Sequence, residues 1–400
     1  MNFLYAIARQ LYEKTGGDLS ACCVIFPNKR AGIFFTKYLA EITEKPVWSP
    51  AIYTVNEFIC SLSDLQPADR LTLVFTLYES YAKLHPKPES FEQFFYWGEM
   101  MLNDFDEIDK YLIDPNSLFQ NLADIREIEN HFNFLTAEQI NAIQTFWKSF
   151  RQKNHSQHQQ DFIQIWNLLP KIYDDFKKRL ASEKAGYEGL IYRDAVQNIP
   201  DSLQIPFKQI VIAGFNALNT CETRIFGHLH KQHNALFYWD YDHYYLDKNE
   251  HQAGYFLRKN LNTFPASDLP DVSFDNIQDK DKTIHIVHAP NNVTQAKCIY
   301  GFLNKLHPDD PEDYNKTAIA LADESILLPA LHSIPEKYPE VNVTMGYPLK
   351  LSPAYSLIIH LLNLQKNARN YENGNEKSYY FQDVLNILNH PYIMDADAKQ

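Results

Sequence analysis

Apolar residues fall into two regimes along this chain. Near both ends they form compact runs of strand length, and between them they recur at three- and four-residue steps. The clearest run, Ala21-Cys22-Cys23-Val24-Ile25-Phe26, stops at Pro27. Asn28, Lys29 and Arg30 follow, and a helical pattern then runs from about Gly32 to Ile42. An unbroken apolar stretch of this length reads as a buried parallel strand feeding a βα turn. Before it, Phe3, Leu4, Ile7, Ala8 and Leu11 mark a helix that Gly16-Gly17 terminates. After it, Pro46-Val47-Trp48-Ser49-Pro50 reads as a second short strand. Thr54 with Glu57 three residues on then forms a capping box for a helix over 55–62.

From Pro67 to about Ala185 the rhythm is helical. Leu71, Val74, Phe75, Tyr78 and Tyr81, then Phe94, Phe95, Trp97, Met101 and Phe105, carry it, with breaks at His85-Pro86-Lys87-Pro88, at Asp114-Pro115 and near Thr136, which with Gln139 suggests another cap. Strand signals return at 209–216, ending in Gly214-Phe215-Asn216, and at 235–240. Between them Asn219-Thr220 open a helix over 221–229. A further βα alternation follows: strands at 283–288, 317–321 and 341–344, and helices over 293–306, 326–334, 354–366 and 381–388. The pattern predicts an α/β fold. A first parallel-sheet domain (1–66 and 186–280) is interrupted by an all-helical insertion (67–185), and a second α/β domain starts at 281 and runs to 400.

With 400 residues, 45% hydrophobic and 22% charged, the chain is long enough for two or three cores. The net charge of −13 argues against a uniformly basic nucleic-acid sleeve. That acidity is local: residues 61–135 hold fourteen Asp/Glu against five Lys/Arg, whereas residues 1–60 hold five against six, so a basic groove in the first segment stays open. The acidic run Asp104, Asp106, Glu107 and Asp109 is expected to be a solvated helix face, because on one helix only residues three or four apart could share a metal. His155 and His158, among glutamines, read as a polar connector with no zinc-ligand spacing. The five cysteines form no CxxC pair. Cys22 and Cys23, adjacent on a strand, point to opposite faces as core thiols, which fits a reducing cytoplasm. The N-terminus lacks the basic flank and apolar centre of a signal peptide, and no apolar run reaches membrane-span length, so a cytoplasmic protein without membrane contact is expected.

At the carboxyl edge of a parallel sheet, Lys29 and Arg30 beside a helix N-terminus favour an anion such as a phosphate. The alternative is that Pro27 merely ends the strand and both basic residues are solvated. A nucleotide triphosphate is not catered for in the usual way. No GxxxxGK[ST] loop occurs, and Lys14-Thr15-Gly16-Gly17 has the residue types in the wrong order.

In order along the chain, Val24-Ile25-Phe26-Pro27-Asn28-Lys29-Arg30, the stretch from Tyr187 to Asp194 (Tyr-Glu-Gly-Leu-Ile-Tyr-Arg-Asp), Ile210 to Asn216, and Val343-Thr344-Met345-Gly346-Tyr347-Pro348-Leu349 resemble landmarks of the N-terminal part of AddB-type proteins, from the helicase-nuclease family that processes broken DNA ends. The resemblance spans nearly the whole chain. It implies a RecA-like (P-loop NTPase-type) first domain with a helical insertion, the start of a second RecA-like domain, an AddA-type partner subunit, and a parent protein with a Mg²⁺-dependent PD-(D/E)XK nuclease domain beyond residue 400. Residues 1–400 supply no such catalytic site, and without a Walker A loop ATP hydrolysis is not carried over. The expected function is an ATPase-inactive, helicase-like scaffold for double-strand-break processing and recombinational repair that binds single-stranded DNA. Asn28, Lys29 and Arg30, Thr54 at the next strand-to-helix turn, and Phe215 and Asn216 at a later one are the candidate contacts, with a core aromatic near the sheet edge as the alternative for Phe215. Gly346 and Tyr347 are weaker candidates. The competing expectation is a protein-interaction scaffold with no DNA contact. An unrelated α/β enzyme finds no motif here.

Overall fold

The computed structural model describes residues 2–43, 45–115, 118, 157–199, 205–247, 251–279, 281–306, 317–338, 340–370 and 377–397. The cap expected at Thr136 with Gln139 and the side chains of His155 and His158 lie outside them. The chain divides into two compact units, Met1–Lys282 and Thr283–Gln400.

The first unit is a mixed α/β fold around a four-stranded parallel sheet. Helix α1 (Phe3–Thr15) is capped by Asn2, whose side chain accepts from the Leu4 amide, and ends at Gly16 in the left-handed region, φ 62°. Strand β1 (Cys22–Phe26) is buried at every position. Helix α2 (Lys29–Ile42) starts directly after its cap Asn28, so Lys29 and Arg30 occupy its first turn, three residues earlier than the periodicity predicts. Strand β2 (Ala51–Thr54) abuts α3 (Val55–Cys60), with the predicted Thr54/Glu57 capping box formed.

The second strand is thus not 46–50. Prolines at both ends of that stretch remove backbone donors, and Trp48 is 81% exposed. Ala51–Thr54 carries the ladder instead, with Ile25 opposite Tyr53 and Phe26 opposite Thr54.

Helices α4 (Arg70–Leu84), α5 (Phe91–Lys110) and α6 (Gln157–Ser182) follow the two-residue strand β3 (Gln66–Pro67), which pairs in parallel with β4 (Ala185–Gly186). The chain therefore leaves for the helical layer and returns from it at adjacent points. Val74, Leu77, Tyr81, Phe94, Leu102, Phe105, Ile172 and Phe176 form the apolar core of that layer. Helix α7 (Glu188–Asn198), β5 (Gln209–Ala213), α8 (Thr220–His233) and β6 (Leu236–Tyr238) complete the unit in the sheet order β2-β1-β5-β6. Asn219, at the expected opening of α8, caps it in a reciprocal pair with Glu222.

Both sheet faces are covered, as an all-parallel sheet requires. Val24, Phe26, Val211 and Ala213 pack with α1 and α2, while Cys23, Ile25, Ile210 and Ile212 pack with α3, α7 and α8. Burying a side chain of this size contributes about 1.5–3 kcal/mol. Cys22 joins the first face and Cys23 the second. Burial pushes the Cys23 thiol up to about 12, so it is an inert core group.

In the second unit, α9 (Asn292–Leu306), α10 (Pro353–Lys366, capped by Ser352 with Pro353 at the first position) and α11 (Phe381–Leu388) lie where the pattern predicts helices. The stretch 326–334 yields only a short helix, Leu327–Leu331, after a 3₁₀ turn. The three expected strands are corrected: 283–288, 317–321 and 341–344 enter no ladder among the described residues. A β-rich sequence becomes a strand only when another backbone supplies the hydrogen bonds. The pairing present is a two-residue antiparallel bridge, Arg369–Asn370 with Lys377–Ser378. Among the described residues, no helix is long and apolar enough to cross a membrane.

Candidate nucleic-acid interface

Where β1 and β2 end, their turns meet in a cleft of about 210 Å³ at the carboxyl edge of the sheet. Asn28 is extended (φ −151°, ψ 161°), and its Oδ1 accepts from the Ala31 amide at 3.0 Å, which leaves the rest of the α2 first turn facing outward. Lys29, Ile33 and Thr36, spaced along one face of α2, line the cleft with Asn28. Across it stand Ile52, Tyr53, Thr54 and Glu57. Gly32 makes this approach of helix to strand possible: a Cβ there would lie 2.8 Å from Ile52 Cγ2. Any side chain at 32 would push α2 off the edge strand.

Thr54 and Glu57 cap α3 reciprocally. The Thr54 amide donates to Glu57 Oε2 at 2.9 Å, and the Glu57 amide donates to Thr54 Oγ1 at 3.2 Å. The remaining Glu57 oxygen pairs with Lys29 Nζ at 3.2 Å. The Thr54 hydrogen bonds, assisted by Lys29, hold the Glu57 carboxyl below its usual range. Lys29 therefore does not stand as an uncompensated cation. Its side chain is 78% exposed, and a pair this open contributes only about 0–1 kcal/mol, so a competing phosphate can displace Glu57. Arg30 is exposed in the same helical turn and adds a second positive charge next to the partial charge of the α2 N-terminus.

The later turn is different. Phe215 is 4% exposed and packs edge-on against Phe226 with ring centroids 5.2 Å apart. Of its two expected roles it takes the core one and not the stacking one, because the turn after β5 folds inward over α8. Asn216 is exposed, and its backbone carbonyl accepts from Asn260 Nδ2 at 2.5 Å. Asn28, Lys29 and Thr54 thus share one cleft, Arg30 adjoins it, and Phe215 and Asn216 belong to another turn. Tyr347 is 44% exposed and Gly346 has open space around its α-carbon, both in the second unit.

The acidic run of α5 is only in part the solvated face its spacing suggests: Asp104 and Glu107 are exposed, whereas Asp106 is half-buried and Asp109 is not on the surface at all. Asp109 is completely buried and accepts from the hydroxyls of Tyr173 (2.5 Å) and Tyr187. Arg193 Nε lies 2.5 Å from Asp109 Oδ1, and Arg193 Nη2 donates to the carbonyls of Ile108 and Ile113 at 2.9 and 2.7 Å. Asp106 pairs with Lys110 at 2.8 Å and accepts from the Gly189 amide at 2.6 Å. Lys110 also reaches Glu188 at 2.8 Å. Burial opposes the Lys110 charge, but the two carboxylate hydrogen bonds overcome it and raise its pKa. Burial and the Asp109 charge raise the Tyr187 phenol, which keeps it a donor.

The 187–194 stretch is therefore a joint between the helical layer and α7. Gly189 is required there because a Cβ would fall 2.2 Å from the Asp106 carbonyl oxygen. Every partner of the Asp109 carboxylate comes from 64 or more residues away, which is why spacing within α5 misleads. Among the described residues, no group of three or more His, Cys, Asp and Glu side chains is placed to hold a metal ion.

A scan against protein-family models finds no match for the chain, and a search of curated proteins finds none. Function is therefore argued from the cleft and the fold.

Proposed function

We propose that this chain is an ATPase-inactive, helicase-like scaffold of a DNA double-strand-break end-processing nuclease, and that it holds single-stranded DNA at the carboxyl edge of its sheet. In this reading residues 1–66 and 186–280 are a RecA-like domain, 67–185 its helical insertion, and 281–400 the start of a second RecA-like domain, as the resemblance to AddB-type proteins suggests. An AddA-type subunit is the expected partner, and a Mg²⁺-dependent PD-(D/E)XK site would belong to a further domain. The observation that carries the reading is the meeting of Asn28, Lys29 and Thr54 in one cleft beside the α2 N-terminus, in a chain without a phosphate-cradling GxxxxGK[ST] loop. A phosphate on the α2 first turn would take hydrogen bonds from backbone amides and charge from Lys29 and Arg30, interactions that read no sequence.

Binding to a labelled single-stranded oligonucleotide at several salt concentrations tests this. Affinity should fall as salt rises. In Lys29→Ala/Arg30→Ala the slope of log affinity against log salt should shrink by roughly 0.7 for each phosphate that is no longer neutralised. Absence of wild-type binding at low salt would refute DNA contact and leave the second reading, a protein-interaction scaffold. That reading has its own support in the helical layer, where Leu71, Phe75, Tyr96 and Met100 of α4 and α5 are at least half exposed.

A further inference from the structure

A second cleft, of about 440 Å³, opens at the end of β6 rather than at the β1 turn, and none of the candidate contacts lines it. Part of its wall is aromatic: Phe3 from the start of α1, Tyr238 and Trp239 from the end of β6, and Tyr241 and Phe274 from the segment beyond, with residues of the 266–272 segment completing it. Three of these rings are anchored. Trp239 Nε1 donates to the Phe264 carbonyl at 3.0 Å, the Tyr238 hydroxyl donates to Gln10, and Phe3 is 9% exposed in the core beneath α1. Tyr241 and Phe274 instead form a half-buried parallel stack, with centroids 4.4 Å apart and planes 12° from each other. Gly214, φ 76°, turns the chain at the end of β5 and donates its amide to the Tyr238 carbonyl at 3.0 Å, tying this corner to the sheet edge.

The charge of the cleft selects its ligand. No lysine or arginine is among its described lining residues, and Asp268 stands at its wall, so it does not suit a phosphate. Its volume lies within the roughly 300–1,000 Å³ of small-ligand sites, and the half-buried Tyr241–Phe274 stack, unlike the three buried rings, suits a planar, uncharged group.

The four strands are parallel, so this cleft and the one between the β1 and β2 turns both lie at the carboxyl edge of one sheet. The strand order β2-β1-β5-β6 separates them by two to three strand spacings, roughly 10–14 Å along the edge. A few nucleotides of extended strand cover that distance.

We infer that the β6 cleft is a base-binding pocket in which a nucleobase of the bound single strand packs against the Tyr241–Phe274 stack while its phosphates are held at α2. This rests on the DNA-binding reading and assigns it a second, uncharged contact. Stacking of this kind tolerates any base, because every base offers a π face. It is also insensitive to salt, since no counterion is released.

Three probes separate this contact from the first: oligothymidylate, an abasic phosphodiester oligomer of the same length, and the wild-type chain set beside Tyr241→Leu and Tyr241→Phe. Tyr241→Leu should bind oligothymidylate about tenfold more weakly with the salt slope unchanged. Tyr241→Phe, which keeps the ring, should bind like wild type. On the abasic oligomer all three should be equal. The inference is overturned if Tyr241→Leu binds oligothymidylate as wild type does, or loses as much affinity for the abasic oligomer. If either occurs while Lys29→Ala/Arg30→Ala still flattens the salt slope, only the base pocket falls. If the wild type binds neither oligomer, the DNA-binding reading falls with it.

Discussion

Two stretches that both read as strands have opposite fates in this chain: 22–26 is apolar throughout, and 283–288 alternates Ile with Thr and His. Cys22–Phe26 is buried along its whole length between β2 and β5, whereas the 283–288 stretch leaves Ile286 93% and Ile284 73% exposed and joins no ladder among the described residues. The difference lies in their neighbours. Strand β1 receives β2 from a nearby βα unit and β5 from the other side of the helical layer, and its two faces are covered by α1 and α2 and by α3, α7 and α8. A strand-forming sequence is thus an offer of hydrogen bonds and apolar surface, and long-range topology decides whether the offer is taken.

The sharpest way to break this contrast is to cut what joins the helical layer to the sheet. Arg193→Ala leaves the buried Asp109 carboxyl without its guanidinium partner, and the first unit should lose about 3–5 kcal/mol, read from its denaturant midpoint. An unchanged midpoint would mean that the tyrosine hydroxyls and Lys177, whose Nζ lies 4.0 Å from Asp109 Oδ1, suffice to satisfy Asp109.

Paired truncations address the strands themselves. Ile25→Ala should cost about 2–5 kcal/mol through reduced burial and the cavity left behind, whereas Ile286→Ala should change stability by less than about 0.5 kcal/mol. Comparable losses at the two positions would show that 283–288 is packed in solution.

The smallest effect concerns pH. Burial alone would raise the Asp175 carboxyl, but hydrogen bonds from Lys83 and Arg179 outweigh it and hold it at about 2. A depressed folded-state pKa stabilises the fold above the unfolded value of about 4, and that contribution is lost as pH falls toward 2. At neutral pH Asp175→Asn should therefore destabilise the α4–α6 packing by roughly 1 kcal/mol, and the difference from wild type should shrink below about pH 4 and close only below about pH 2. A gap that persists at low pH would assign the effect to packing.

Much of the first unit was legible because its signals are local. The Cys22–Phe26 run, the Thr54/Glu57 box, the Asn219 cap and the Gly16 terminator each act within a few residues, and each forms as its sequence implies. The cleft was partly legible for the same reason: Asn28, Lys29 and Thr54 sit at turns that strand-to-helix grammar locates. The Glu57 pairing that tempers Lys29 was not, since it requires β2 to lie beside β1. Phe215 shows the converse limit, because residue type alone cannot tell a ring that stacks on a ligand from one that closes over Phe226.

What the sequence determined by itself is therefore the set of short-range choices: where helices are capped, where strands can form, and the lack of a triphosphate-cradling loop. Tertiary structure alone decided that Asp109 is a buried joint, that 283–288 stays unpaired among the described residues, and that rings from α1, β6 and the 266–274 segment enclose a cleft. The physical reason is one of range. Caps and turns are closed by hydrogen bonds within about four residues, whereas burial and pairing depend on partners tens to hundreds of residues away, whose approach no local pattern encodes.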